Sequence, residues 1–357
     1  MGHSLKNLLI SPFSYLNGLQ DKTNWETMKR YKLTNNITGW VVFAVAAVTY
    51  LLTIEPTASL WDCGEYIASS YKLEVGHPPG NPVFMVFARF FTLFAGGNTS
   101  MVAAMVNAMS ALASAFTILF LFWTITHLAR RIFLRNENDF STSRITAVIS
   151  AGVVGALAFT FSDSFWFSAV EGEVYASSSF FTAMVFWAIL MWEDVADEEY
   201  ANRWIILIAF LMGLSIGVHL LNLLTLPAIV LVYYFRKYEF SWKGFITSLG
   251  ISVILLSLLL YGIMPGIVTI SSKLDMFFVN SLKLPPNSGM IFHFILLAAF
   301  FILAVRSTFS STEKVKNSAY AIGAMLLSGV WIISGSMILD IIVLACIAAY
   351  IWYLAGK

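Results

Sequence analysis

The chain alternates long apolar runs with short polar ones, and the lengths of the apolar runs are the first readable signal. A helix rising about 1.5 Å per residue needs about 17 to 25 apolar residues to cross a hydrocarbon layer about 30 Å thick. Runs near that size lie at 40–54, 101–128, 145–161, 174–192, 204–218, 220–235, 245–264, 290–305, 319–334 and 337–354. They predict an all-α polytopic membrane protein with about ten transmembrane helices. A further run at 82–94 is short, carries Arg89 in its middle and ends at Gly96-Gly97-Asn98.

Positive charge settles how the runs are threaded, because Lys and Arg concentrate on the cytoplasmic side. Lys6, Lys22, Lys29, Arg30 and Lys32 put the N-terminus in the cytoplasm. If 82–94 crossed the membrane, Arg130, Arg131, Arg135 and Arg144 would be delivered outside. If it lies flat on the outer surface as an interfacial helix, they fall inside. The segment 203–236 as one helix would be about 50 Å long and would split Arg203 from Arg236 and Lys237. Two shorter helices turning near 219–222 place all three inside. The resulting domain map has a cytoplasmic segment over 1–36 and one transmembrane domain over 37–357. Its extracytoplasmic segments are 55–100, 162–173 and 265–289. The chain closes on a predicted span, as a truncated version of something larger would.

Composition agrees with this picture. Hydrophobic residues make up 59% of 357 positions and charged ones 11%, whereas soluble domains are nearer one quarter charged. The net charge of +1 gives no reason to expect nucleic acid as a partner. Cys63 and Cys346 are too few for a disulfide framework. The polar, basic N-terminus lacks the short apolar core of a cleaved signal peptide.

The candidate chemistry lies in the expected outer segments. Leu60-Trp61-Asp62-Cys63-Gly64-Glu65-Tyr66, followed by Gly76-His77-Pro78-Pro79-Gly80, puts two acids and a histidine directly after the first span. Acids are costly near a bilayer and by default mark function. In a helix over 60–73, Asp62 and Glu65 stand at i and i+3 on one face. The same residues also suit ordinary solvated loop acids. The second outer segment sets Asp163, Glu171 and Glu173 among aromatics that run on to Tyr175. That is either a sugar-binding wall or an aromatic belt with solvated acids. In an extended segment Glu171 and Glu173 share a face. His219 and Asn222 follow Gly213 and Gly217, whose spacing permits close helix packing. His219 reads either as a structural hydrogen-bonder or as a group facing a lipid phosphate. No phosphate loop, HExxH or paired CxxC is present.

The combination Asp62-x-Gly64-Glu65 with His77-Pro78-Pro79-Gly80-Asn81-Pro82 resembles the N-terminal signature of a membrane family long described as a domain of unknown function. That family occurs in bacteria, and its vertebrate member is a transmembrane protein O-mannosyltransferase. Ser168-Ala169-Val170-Glu171-Gly172-Glu173-Val174-Tyr175 and Gly213-Leu214-Ser215-Ile216-Gly217-Val218-His219 are similar to it too. The resemblance covers roughly residues 35–235. The family in turn looks like the GT-C glycosyltransferases, which share a large first external loop with an acidic residue or pair, flat juxtamembrane helices and a lipid-linked sugar donor.

The resemblance implies transfer of a sugar from a polyprenyl-phosphate donor to a protein or peptide hydroxyl, on the periplasmic face of a bacterial inner membrane. Asp62 would be the base and Glu65 its orienting partner. Glu171 and Glu173, with Asp163 and Tyr175, would hold the sugar, and His77, Arg89, His219 and Asn222 would face the lipid phosphate. No cofactor is expected, although a divalent cation is compatible with the acids. A transporter or lipid flippase, and a non-catalytic membrane subunit, are the alternative classes. The acids cluster at one surface without an apparent inverted repeat, which favours the enzyme.

Overall fold

In the computed structural model of the chain, residues 22–78, 80–134, 141–307 and 314–332 are described, with isolated positions between 338 and 349. Among them there is no strand, and seven helices are long and apolar enough to cross a membrane. The chain is an all-α polytopic membrane protein. It divides into two compact units with the boundary after Ser248.

The first unit contains α1 (Lys22–Leu52), α2 (Cys63–Lys72), α3 (Pro82–Thr92), α4 (Val102–Phe133), α5 (Thr142–Thr160), α6 (Asp163–Ala169), α7 (Val174–Val195), α8 (Asn202–Ile216) and α9 (Leu226–Lys237). The central helix is α4, which packs against α1, α5 and α7. Its inward face carries Ser110, Ala111, Ser114 and Ala115, all buried. Lipid tails are as apolar as the helices, so association relies on close van der Waals contact, and small side chains allow it. Gly152 on α5 shows how close: a Cβ there would lie 2.4 Å from Thr126 and 2.9 Å from Phe122. Between α1, α4 and α5 lies a core of Val42, Ala46, Tyr50, Ile118, Phe122 and Ala156, which also takes Phe165 from α6.

This unit has two chemically distinct ends. At one, Arg130 donates to Asp194 (3.0 Å), and Arg131 pairs with Glu193 and Asp194. There too Arg236 pairs with Asp197, and Lys237 reaches both Asp197 (3.0 Å) and the carbonyl of Ala196 (2.7 Å). At the other, the Tyr50 hydroxyl donates to the carbonyl of Thr160 (2.9 Å), and α2, α3 and α6 cover the helix ends. Arg130, Arg131, Arg236 and Lys237 therefore share one end, as the charge bias predicts. The reason is that 203–236 forms two helices separated by a 3₁₀ turn, Leu220–Thr225, and not one rod. The helical run Pro82–Ala95 is about 21 Å long at 1.5 Å per residue, too short to cross.

Several predicted boundaries move. The first helix begins at Lys22, inside the expected cytoplasmic segment. The segment 265–289, expected as an outer loop, is largely helical. The run from α10 (Trp242–Ser257) continues through a π turn, Leu258–Ile263, into α11 (Met264–Asn280). Pro265 suggests a break, but the helix runs through it, with the proline close behind the π turn. Run 204–218 is a 15-residue helix and run 319–334 a 14-residue one, α13 (Lys314–Leu327). Both are shorter than a crossing needs. Most of run 337–354, with Arg135 and Pro79, lies outside the described residues.

The second unit holds α11, α12 (Ser288–Ser307) and α13. His293, fully buried on α12, ties the three together. One ring nitrogen meets Ser271 on α11 (2.7 Å), and the other meets the carbonyl of Leu327 on α13 (2.8 Å). Asp275 accepts from the backbone N–H of Asn287 and of Gly289, satisfying donors at the start of α12.

Candidate active site

The acid–histidine cluster is built by two short helices and the turn between them. Helix α2 starts at Asp62 and ends on Leu73, whose left-handed conformation (φ 55°) closes it. The chain then passes His77 and enters α3 through Asn81, also left-handed (φ 40°), with Pro82 in the first turn. Asn81 is buried and donates to the Tyr66 hydroxyl (2.8 Å), so the turn is tied back onto α2. The Tyr66 ring stacks edge-on against Phe84 and lies beside His77. Arg89 on α3 donates to the carbonyl of Tyr71 (2.6 Å) and sits over that tyrosine's ring. These contacts lock α2 and α3 together.

Within that frame Glu65 takes two hydrogen bonds from His77. The backbone N–H donates to Oε1 (2.6 Å), and Nδ1 lies 3.1 Å from Oε2. The backbone bond, then the ring, hold the Glu65 carboxyl below its ordinary range. On the other side of the ring, Nε2 lies 3.9 Å from Asp62 Oδ2. Asp62 is 57% exposed at the side chain and keeps acceptor capacity toward solvent. Asp62, Glu65 and His77 each offer one ligand atom, all within 4.8 Å of one another, so these three would hold a cation if one binds. The i, i+3 relation expected for the two acids is realised, with Asp62 at the N-cap position of the helix that carries Glu65 and its side chain making no capping bond.

Glu171 and Glu173 lie behind this cluster. They are only 4% and 5% exposed. Glu171 accepts from the Cys63 thiol (3.6 Å). Glu173 caps α7 by accepting from the N–H of Val174 (3.1 Å). Burial raises the pKa of both acids, with neighbouring acids adding to it. Burial, reinforced by these two carboxylates, pushes the Cys63 thiol up to about 12. The Tyr66 hydroxyl is likewise pushed to about 12 by burial first and then by Glu173, Asp62 and Glu65. Asn107 on α4, fully buried, donates to the carbonyls of Glu55 and Thr57 and fixes where the loop leaves α1.

The remaining predicted residues divide. Tyr175 is exposed at the start of α7, and its ring meets His219 at 5.5 Å. The turn that carries His219 touches α3, because the N–H groups of Val83 and Phe84 donate to the carbonyl of Gly217 (2.8 and 3.3 Å). Tyr175 and His219 therefore share the end of the unit that bears His77. Arg89 is committed to the end of α2, and Asn222 is buried with its amide on Ser215 (2.8 Å). Asp163 is exposed in the first turn of α6, a favourable place for an acid. Cys63, Tyr66, Asn81 and Asn107 are not among the site residues expected from the sequence. The first three stand inside the quoted signature, whereas Asn107 is one polar residue in an apolar run and carries no local signal.

This is an integral membrane protein whose solvent-facing acid–histidine cluster crowns one end of a helical bundle, the end opposite Arg130, Arg131 and Arg236. The chain belongs to the family described as the Protein O-mannosyl-transferase TMEM260 N-terminal domain, whose model matches residues 62–242, just over half of it. The relatives it resembles include the Protein O-mannosyl-transferase tmem260 of Dictyostelium discoideum, 26% identical over 241 residues, covering 66% of this chain and 27% of that protein. The Mus musculus Protein O-mannosyl-transferase TMEM260 is 29% identical over 176 residues, covering 49% and 22%. The chain thus spans about a quarter of the length of these curated relatives. No solved structure matches it.

Proposed function

We propose that this chain is a GT-C-type glycosyltransferase that moves a sugar, mannose by analogy with its relatives' names, from a polyprenyl-phosphate carrier to a protein or peptide hydroxyl. The observation that carries the reading is the Asp62–His77–Glu65 cluster, open to solvent where two helices too short to cross meet, within the family-matched segment. Asp62 accepts the acceptor's hydroxyl proton as that oxygen bonds to the anomeric carbon. The bond from that carbon to the phosphate oxygen breaks, and the electron pair leaves with the lipid phosphate. Glu65 holds His77 by two hydrogen bonds, so the ring is fixed between the acids and available to the leaving phosphate. Tyr175 and His219 form the neighbouring wall on which the sugar and phosphate rest. Transfer in this scheme uses no metal, so a chelator should leave it unchanged. The cluster faces the outer side, which in a bacterial inner membrane is the periplasm.

The test is transfer of labelled sugar from a polyprenyl-phosphate donor to mixed hydroxyl-bearing peptides by the purified chain. Transfer that disappears in Asp62→Asn supports the reading. No transfer with any donor, despite a folded protein that binds the lipid, would reject it.

A further inference from the structure

A cavity of about 480 Å³ opens at the end of the first unit remote from the acid–histidine cluster. Its walls come from α1, α4 and α7, so it is a groove between α1 and α7 floored by α4. The three helices present the same order of chemistry along it. On α1 Lys32 precedes Trp40, on α4 Trp123 precedes Arg130, and on α7 Trp187 precedes Asp194. Because α1 enters from the charged end and α4 and α7 finish there, every charged residue lies at the arginine end and every tryptophan about 10–12 Å deeper. The tryptophans form one wall, with ring centroids 6.2 Å apart for Trp40 and Trp123 and 5.7 Å for Trp123 and Trp187.

Charge at the mouth is cationic on balance. Among its lining residues Arg130 and Lys32 stand against Asp194. The groove also holds buried polar atoms that no group among the described residues satisfies. Nε2 of His127, a side chain only 5% exposed, has no partner among the described residues, and neither has Oδ1 of Asn35. Buried polar atoms are rarely left unpaired, and a ligand oxygen or an ordered water is the usual remedy.

We propose that this groove binds one anionic phospholipid of the cytoplasmic leaflet, its phosphate at Lys32 and Arg130 and its glycerol and upper acyl chains along the tryptophan wall. A polarity gradient running parallel to three spanning helices matches an amphiphile standing upright in the bilayer. A soluble anion would use the mouth and leave the aromatic depth empty. The site is separate from the proposed sugar transfer and does not rest on it.

The test is native mass spectrometry of the full chain released from detergent containing phosphatidylglycerol or phosphatidylcholine with identical acyl chains. One phosphatidylglycerol should be retained at least about fivefold in preference to phosphatidylcholine, the factor expected for one favourable basic contact. Lys32→Glu reverses a charge at the mouth, and Asn36→Trp fills the groove from an exposed position on α1. Each should abolish the preference while circular dichroism stays helical. Equal retention of the two lipids, or undiminished preference in both variants, overturns the proposal. Displacement of the lipid by inorganic phosphate alone also overturns it, because that would define a site for the anion without the chain.

Discussion

Asp62 and Glu65 are both exposed carboxylates on one face of α2, and the bonds to His77 set them apart. Glu65 spends both oxygens on His77 and is held as the anion, whereas Asp62 has one longer contact and an open side. The proposed base is therefore Asp62. Asp62→Asn should lower turnover at least about 10²-fold, because an amide of the same shape cannot take the proton. Donor affinity should be nearly unchanged. Glu65→Gln should be milder, since an amide oxygen still accepts the His77 backbone N–H. Kinetics of both purified variants on one defined peptide decide, and a collapse confined to Glu65→Gln would reverse the roles. Glu171 offers a second test at this scale. Its pKa is raised by burial, so the folded state binds its proton more tightly than the unfolded chain. Stability associated with that proton is present below the ordinary glutamate range and lost as pH rises through the raised value. Glu171→Gln should therefore gain melting temperature over the parent as pH goes from about 5 to about 8. A difference that is flat with pH would mean the carboxyl is not buried.

At the scale of elements, the position of the cluster depends on how α3 is seated. Its first N–H groups are satisfied by the carbonyl of Gly217, and a Cβ at Gly217 would lie 2.5 Å from Val83. Gly217→Ala should push α3 off its seat, destabilising the fold by about 1–3 kcal/mol and reducing transfer. Gly213, one turn earlier on α8, has nothing within 4 Å. Gly213→Ala should be neutral or slightly stabilising, since alanine is the better helix former by about 1 kcal/mol. Thermal melts of the two variants side by side measure this, and equal losses would refute the seating argument. The two glycines are alike in sequence, and only the tertiary contact separates them. The same limit applies to Arg89, which reads as a free cation near a phosphate but is spent on the end of α2. Asn107, near the start of α4 in an apolar run, gives no local sign that it anchors the loop at Glu55 and Thr57. By contrast, the signature from Asp62 to Pro82 was legible because polar residues, prolines and glycines interrupt the apolar pattern where the chain must turn. The helix through 265–280 was not, because Pro265 reads locally like a break although the helix runs through it.

At the scale of the whole molecule, the arginine end and the acid end of the first unit must face opposite sides of the membrane, since spanning helices connect them. The sequence could show this because positive charge is biased to the cytoplasmic side over short loops, and here the packing independently gathers Arg130, Arg131, Arg236 and Lys237 onto the acids of α7. The outer-face assignment of the cluster is then a prediction about labelling. Single cysteines at Ser100, exposed just before α4, and at Glu199, exposed between α7 and α8, mark the two ends. Cys346 is exposed and should first be replaced by serine, while Cys63 is buried and can remain. In intact cells, an impermeant maleimide should modify Ser100→Cys and leave Glu199→Cys untouched until the membrane is opened. The opposite pattern would put Asp62, Glu65 and His77 in the cytoplasm, and transfer on the outer face would have to be abandoned. Labelling of both without permeabilisation would mean that α4, α5 and α7 do not all cross, because together they carry the chain from Ser100 to Glu199.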